Sequence, residues 1–350
     1  MALEPLPPIR PPRAAREFSP ATDFTDALKK AVLGQEEALD TIVPYVQLFE
    51  AGLAPEGRPG GVFLLLGPTG TGKTRTVEAL AKAIHGSERQ VLRIDCGEFQ
   101  MEHEVAKLIG APPGYLGHRE THPMLSQQKL NAVTSERSPL SLVLFDEIEK
   151  AATSFARILL GVLDRARLKL GDNTEVNFEN SLIFLTSNLG ARGMLDELSG
   201  GFGFSADAGK PQKERHTKLS RISMNEVRRR FSPEFVNRID EIVTYRPLTH
   251  EALEGILDLQ LTQFRNHIRA RLGPASFELE LSTRARKFLL TQGTSLEYGA
   301  RELKRVIHRQ LMQPLARMII GNEIPAAAHV RVDLDARRTA IEFTTLRKAA

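Results

Sequence analysis

The chain predicts an α/β fold, a doubly wound parallel sheet followed by a smaller, mainly helical domain. Three observations predict it. Five short apolar runs, Val62–Leu66, Val91–Asp95, Leu142–Glu147, Leu182–Thr186 and Ile242–Tyr245, alternate with segments of helical periodicity. Three of those runs end in polar motifs, and ligands of open α/β sheets gather at the carboxyl ends of strands. Pro247 then breaks the alternation, and helical patterns follow over 250–271, 283–291 and 299–320.

Taken in order, residues 1–20 hold six prolines and three arginines and read as a disordered or extended tail. Thr22–Leu33 reads as a helix with Asp23 or Thr25 as its N-cap. A second helix carries Ala38, Leu39, Ile42, Val43 and Val46 on one face. Ala54–Gly61 is a Pro/Gly loop before the first strand, and Thr74–Ile84 is the amphipathic helix after it. Glu98–Ile109 and Met124–Ser135 read as helices flanking a Gly/Pro-rich loop, 110–117, with Tyr115 at its tip. Ser154–Leu168 is helical, residues 169–180 are a polar loop, and Ser199–Pro211 is glycine-rich and reads as mobile. The basic run at 210–230, with eight Lys and Arg, reads as a solvated helix face. Short strand-like runs at Phe277–Leu281 and Val330–Leu334 interrupt the helical end. The expected division is a tail at 1–21, a large domain at 22–246 and a small domain at 247–350.

Composition excludes several classes. Net charge is +4, small and spread along the chain, which does not by itself argue for nucleic acid. With 17 Phe, four Tyr and no Trp, stacking platforms for single strands are not expected. No apolar run approaches the ~20 residues of a membrane span. The single cysteine, Cys96, rules out an internal disulfide framework and suits a reducing, cytoplasmic setting.

The chemistry centres on Gly67-Pro68-Thr69-Gly70-Thr71-Gly72-Lys73-Thr74, a full match to G-x-x-x-x-G-K-[ST] placed between an apolar strand and a helix. The glycines allow positive φ, so backbone N–H groups can converge on an anion. A helix N-terminus favours that anion and disfavours a lone cation. Lys73 is therefore misplaced unless a polyphosphate sits against it. Thr74 offers a hydroxyl to Mg²⁺. Asp146 and Glu147 end another strand. Adjacent carboxylates repel unless a cation is present, so Asp146 is expected to serve Mg²⁺ and Glu147 to orient the attacking water. Asn188, after a fourth strand, can hydrogen-bond a γ-phosphate or that water. ATP and Mg²⁺ are the expected ligands.

Beyond these three stand Gly114-Tyr115-Leu116-Gly117, Asp146-Glu147-Ile148-Glu149-Lys150-Ala151, Thr186-Ser187-Asn188-Leu189-Gly190, Phe231 to Asp240, and Tyr298-Gly299-Ala300-Arg301. In this order they resemble the second ATPase module of Clp-type AAA+ unfoldases, most closely ClpB-like ones, over residues 22–335. The resemblance implies an ATP-hydrolysing hexameric ring that threads or remodels protein clients. It implies that Arg238 is an arginine finger acting on a neighbouring subunit, against the alternative of a surface ion pair with Asp240 or Glu241. It further implies that Arg301 senses nucleotide in cis, and that Val32 and Leu33 pack on adenine rather than only in the core. Tyr115 with Leu116 would grip the client, and 169–179 would form a second pore loop. Phe202-Gly203-Phe204 resembles a peptidase-docking tripeptide, against the alternative that both rings fold back.

The chain departs from the resemblance in showing one ATPase module, with no module, coiled-coil arm or folded domain before it, and in the sequence His118–Pro123. Bulk disaggregation is the activity those departures weaken. The alternatives they raise are a dedicated remodeller of one partner complex and a peptidase-docking subunit. A DNA-acting loader is the rival from another class, and the weak charge bias opposes it.

Overall fold

In the computed structural model, residues 22–110, 123–198, 212–337 and 339–346 are described. They form two compact units, Met1–Gly67 with Gly72–Arg246, and Pro68–Thr71 with Pro247–Ala350. Tyr115, Leu116, Phe202, Gly203, Phe204 and the tail lie outside the described residues.

The first unit is built on a five-stranded, wholly parallel sheet. Its strands are β1 (Gly61–Leu66), β2 (Leu92–Asp95), β3 (Ser141–Asp146), β6 (Ser181–Ser187) and β7 (Glu241–Thr244), in the spatial order β2-β3-β6-β1-β7. Between β3 and β6 lie β4 (Arg167–Lys169) and β5 (Glu175–Asn177), which pair with each other as a separate antiparallel hairpin. The central strands β1 and β6 are buried along their whole length, as strands covered on both faces must be. Phe63 and Phe184, directly paired in register, stack on one face. Helices Thr22–Ala31, Glu36–Glu50 and Lys73–His85 cover that face through Leu28, Leu39, Ile42, Val46, Val77 and Leu80. Val62, Leu64, Val143, Phe145, Ile183 and Leu185 point the other way, into a core shared with Phe99, Phe155, Leu159 and Phe235.

Several elements differ from the sequence reading, among them Met124–Ser135, which is helical only over Gln127–Ala132. Glu98–Ile109 is not one helix but two short 3₁₀ turns, Cys96–Glu98 and Glu102–Val105, and a single α-turn, Ala106–Ile109. Asp95 starts the first turn by accepting the Gly97 N–H at 2.9 Å. Met101 is extended (φ −102°, ψ 145°), which lets Phe99, Val105 and Leu108 all reach the core. Helix Thr153–Arg165 stops before Leu168 because Ala166 turns left-handed (φ 52°). The polar stretch after it is the β4–β5 hairpin, anchored by buried Leu168, Val176 and Phe178.

The second unit is mainly helical, with His250–Leu272, Thr283–Gly293, Ala300–Ile307 and Gln313–Ile320 around Leu257, Leu289, Leu303, Val306, Leu311 and Leu315. The expected helix 299–320 is interrupted by a π-turn at His308–Met312. Pro314, just inside the next helix, lacks the N–H that would continue the ladder. A three-stranded sheet joins the helices: β8 (Glu278–Leu281), β9 (His329–Leu334) and β10 (Ile341–Leu346) in the order β10-β9-β8. The sequence reading contains the first two of these strands and not β10, whose burial alternates only between partial and exposed.

Candidate functional site

The turn after β1 has the backbone its glycines allow. Gly67 sits at φ 145°, and a Cβ there would lie 2.6 Å from the Tyr245 carbonyl, so no other residue fits. Gly72 takes φ 111° and begins helix Lys73–His85 with no side-chain cap, which leaves that helix N-terminus open for an anion. Within the turn, the Thr71 hydroxyl donates to the Pro68 carbonyl at 2.9 Å. Thr69 and Gly70 are half-buried at its tip, and Thr74 is half-buried in the first helical turn.

Lys73 is only 8% exposed. Its Nζ donates to the Gly67 carbonyl at 2.6 Å and to Asn188 Oδ1 at 2.9 Å. A buried ammonium is costly to desolvate, and a phosphate bound against it would offset that cost. Below it, Tyr245 is wholly buried and its hydroxyl donates to Thr76 Oγ1 at 2.8 Å. Burial raises its phenol well above the ordinary range, so the group stays neutral and serves as a strut.

Asp146 ends β3. Its carboxylate accepts from the Thr186 hydroxyl on Oδ1 and from Arg93 on Oδ2. The same Thr186 oxygen accepts the Glu147 N–H at 3.0 Å. Glu147 is left-handed (φ 58°, ψ 49°), a costly conformation for a residue with a Cβ. Its carboxylate lies 2.5 Å from Lys150 Nζ, and Asn188 Nδ2 approaches its other oxygen at 3.5 Å. Glu147 holds the Lys150 ammonium above its ordinary pKa by that hydrogen bond. Asn188 itself is fixed by its N–H donating to Glu149 Oε1 at 3.1 Å. Thus Lys73, Asn188, Glu147 and Asp146 form one connected group at the carboxyl ends of β1, β3 and β6. Cys96 is buried close by, and burial first, then the surrounding carboxylates, raise its thiol far out of the reactive range.

Among the described residues, no cluster of three or more His, Cys, Asp or Glu could hold a metal unaided. Mg²⁺ does not ask for one, because it takes one or two protein ligands and completes its shell with phosphate and water. An open helix N-terminus, a turn whose Gly67 admits no Cβ and a buried lysine at its end fit a nucleoside triphosphate.

The other expected residues fall elsewhere. Val32 is 3% exposed and packs in the core, its side chain beside Gly72; Leu33 is half-buried. Both are carried on a turn clamped by buried Gln35, which donates to the Arg246 carbonyl at 2.8 Å and accepts its N–H at 3.2 Å. Arg238 pairs with Asp164 at 2.6 Å, not with Asp240 or Glu241. Asp240 is taken by Arg58 and by the Val62 N–H at 2.8 Å, and Glu241 accepts the Tyr45 hydroxyl at 3.2 Å. Arg301 is exposed in the second unit, at the start of helix Ala300–Ile307.

Sequence reasoning missed Arg93 and Asp164, which have no motif, and placed Gln35 next to Val32 and Leu33 without giving it a role. It quoted Thr186, Glu149 and Lys150 without roles, although their positions against strand ends carrying Asp146, Glu147 and Asn188 were the available signal.

Comparison with known proteins agrees with this arrangement. The model of the AAA domain (Cdc48 subfamily) matches residues 58–242, and that of the C-terminal, D2-small domain of ClpB protein matches 248–332. The chaperone protein ClpB of Meiothermus ruber is 41% identical over 307 residues, 88% of this chain and 33% of the relative. ClpB of Prochlorococcus marinus is 35% identical over 312 residues, 89% of this chain and 33% of the relative. The chain therefore spans about a third of the length of the curated relatives it matches. A closed-state reconstruction of Hsp104 with ATPγS and FITC casein superposes with a TM-score of 0.78 at 29% identity, covering 95% of this chain and 53% of that one. A Saccharomyces cerevisiae Hsp104:casein complex in an extended conformation gives 0.77 at 29%, covering 94% and 54%. With residues 58–242 of its 350 matched by the model, the chain belongs to the AAA domain family, Cdc48 subfamily, and carries a ClpB-like small domain.

Proposed function

We propose that this chain is the motor module of a ring-forming protein unfoldase or chaperone, which spends ATP to thread or remodel polypeptides. The observation that carries the ATP site is the buried Lys73 ammonium, held 2.6 Å from the Gly67 carbonyl and 2.9 Å from Asn188 at an uncapped helix start. Gly67, Pro68, Thr69, Gly70, Thr71, Gly72, Lys73 and Thr74 cradle the phosphates, with Val32 and Leu33 against the base. Thr74 and Asp146 hold Mg²⁺, which when bound neutralises charge on the phosphate oxygens. Glu147 orients the attacking water and accepts its proton. Asn188 bridges Lys73 and Glu147 and reports on the terminal phosphate. Arg238 completes the site of a neighbouring copy and Arg301 contacts nucleotide in cis, so the active species is an oligomer, a hexamer by likeness to ClpB.

The small-domain match to ClpB and the likeness to Hsp104 in complex with casein support polypeptide as the client. Tyr115 and Leu116 are then the gripping residues, and the β4–β5 hairpin a second client loop. Docking of a peptidase through Phe202-Gly203-Phe204 is the less favoured partner reading. The single Cys96 supports a reducing, cytoplasmic setting. Among the described residues no helix is long and apolar enough to cross a membrane.

The test is ATP-dependent unfolding of a folded fluorescent protein that carries an unstructured tail, read as loss of its fluorescence. Unfolding by the wild-type chain, lost in Glu147→Gln and in Tyr115→Ala while Tyr115→Ala keeps its ATPase, supports the reading. An active ATPase that leaves that protein folded and binds duplex DNA in a salt-sensitive way overturns it.

A further inference from the structure

Asp164 lies in the last turn of helix Thr153–Arg165, and its Oδ1 is 2.6 Å from Arg238 Nη1. The backbone on both sides of this pair is fixed. Arg238 follows the short helix Pro233–Val236, capped by Ser232 and anchored by Phe235, which stacks on Phe231 with ring centroids 5.0 Å apart. Its own N–H donates to the Phe235 carbonyl at 3.2 Å. Two residues on, Asp240 is tied to Arg58 and to the first residues of β1. On the other side, Phe155, Leu159, Val162 and Leu163 bury their helix in the same core as Phe231 and Phe235. What remains to be set is the direction of the Arg238 side chain. Among the described residues Asp164 has one other cation in reach, Arg165 Nε at 3.8 Å, which is too long for a hydrogen bond.

We propose that Asp164 is a positioning residue for Arg238, holding one edge of the guanidinium so that another is presented to a nucleotide phosphate on an adjoining copy of the chain. This rests on the reading of Arg238 as a finger given above. A guanidinium is a planar fork of five donors, so a carboxylate on one edge orients the rest of the plane. Arginine free in solvent samples many rotamers, and restricting them before the reaction removes an entropic cost from the reacting complex. The side chains of Arg238 and Asp164 are 40% and 33% exposed, so their attraction is screened. It is strong enough to bias a rotamer and weak enough to yield when a phosphate competes. The same helix leads directly into the β4–β5 hairpin, so Asp164 and that hairpin lie on one continuous stretch of chain.

The experiment uses the full chain carrying Asp164→Asn, Asp164→Ser, Asp164→Glu or Arg238→Ala. Sedimentation velocity gives the protein concentration for half-assembly in ATPγS and in ADP, and steady-state assays give kcat and KM. Asp164→Asn and Asp164→Ser should raise the ATPγS midpoint about threefold, as expected for one screened ion pair, and leave the ADP midpoint unchanged. They should lower kcat with KM for ATP unchanged, and Asp164→Glu should restore both readouts. Asp164→Asn mixed with Glu147→Gln should exceed the mean activity of the two, because each Glu147→Gln subunit still lends an intact Arg238. Wild-type midpoints and kcat in both Asp164→Asn and Asp164→Ser, with Arg238→Ala impaired, would overturn the proposal alone. Wild-type behaviour in Arg238→Ala would remove the finger reading with it.

Discussion

Glu147 takes a left-handed backbone (φ 58°) at the point where its carboxylate must be aimed, and the Thr186 hydroxyl holds it there. Such a conformation costs about 1–2 kcal/mol for a residue with a Cβ, so something must compensate. Thr186 does so twice, accepting the Glu147 N–H at 3.0 Å and donating to Asp146. Thr186→Val keeps the shape and removes both bonds. Stability should fall by about 1–3 kcal/mol through the orphaned buried groups, read from urea midpoints. Activity should fall about tenfold to a hundredfold, the range for partners that orient a ligand residue, with nucleotide affinity within about threefold. Unchanged kcat at full stability would refute this role. The sequence showed Lys73, Asp146, Glu147 and Asn188 because each sits at a strand end in a spaced motif. It did not show Arg93 or Asp164, since an ion pair closed between distant positions leaves no periodicity or spacing to read.

Elements were legible where one period dominated. The five parallel strands carry unbroken apolar runs, and the helix after the phosphate turn repeats every third or fourth residue. Glu98–Ile109 misled because its apolar residues, Phe99, Val105 and Leu108, reach the core by an extended break at Met101 rather than by helical phase. The β4–β5 hairpin was hidden by its polar surface, since only Leu168 and Val176 face inward. In the second unit, helix Thr283–Gly293 is joined to the sheet by Asp333 at the end of β9. Its carboxylate accepts from Ser282 Oγ at 2.7 Å, from Arg284 at 2.8 Å and from the Leu334 N–H at 2.8 Å. Those three bonds, Ser282 foremost, hold its pKa at about 2 instead of 3.8. A carboxyl depressed by folding stabilises fully above its unfolded pKa, and that contribution fades as pH falls from 3.8 through about 2. Amide-exchange protection at Val330 and Val332 should therefore decline across that window. In Asp333→Asn it should already be lower at pH 5 and insensitive to the same acidification. Parallel titration of both chains would discard the idea.

For the molecule as a whole, the finger reading ties turnover to association. Arg238 is engaged by Asp164 of its own chain on the outer end of a packed core, and its pairing with Asp240, the simplest intrachain alternative, does not occur. A residue that completes a neighbour's site makes turnover per protomer depend on protein concentration, because a lone protomer has every other group and lacks that charge. An arginine finger contributes about 10³–10⁵ in kcat, so the dependence is steep. ATPase activity per protomer should rise from near the background of the finger-less state and level off where sedimentation shows the ring complete. Arg238→Ala should assemble in ADP as the wild type does, bind nucleotide, and stay at least about 10³-fold lower in kcat at every concentration. If specific activity were instead constant from monomer to ring, every group needed for cleavage would lie in one chain. Arg238 would then be a surface cation paired with Asp164, and the case for hydrolysis at a shared subunit boundary would be lost.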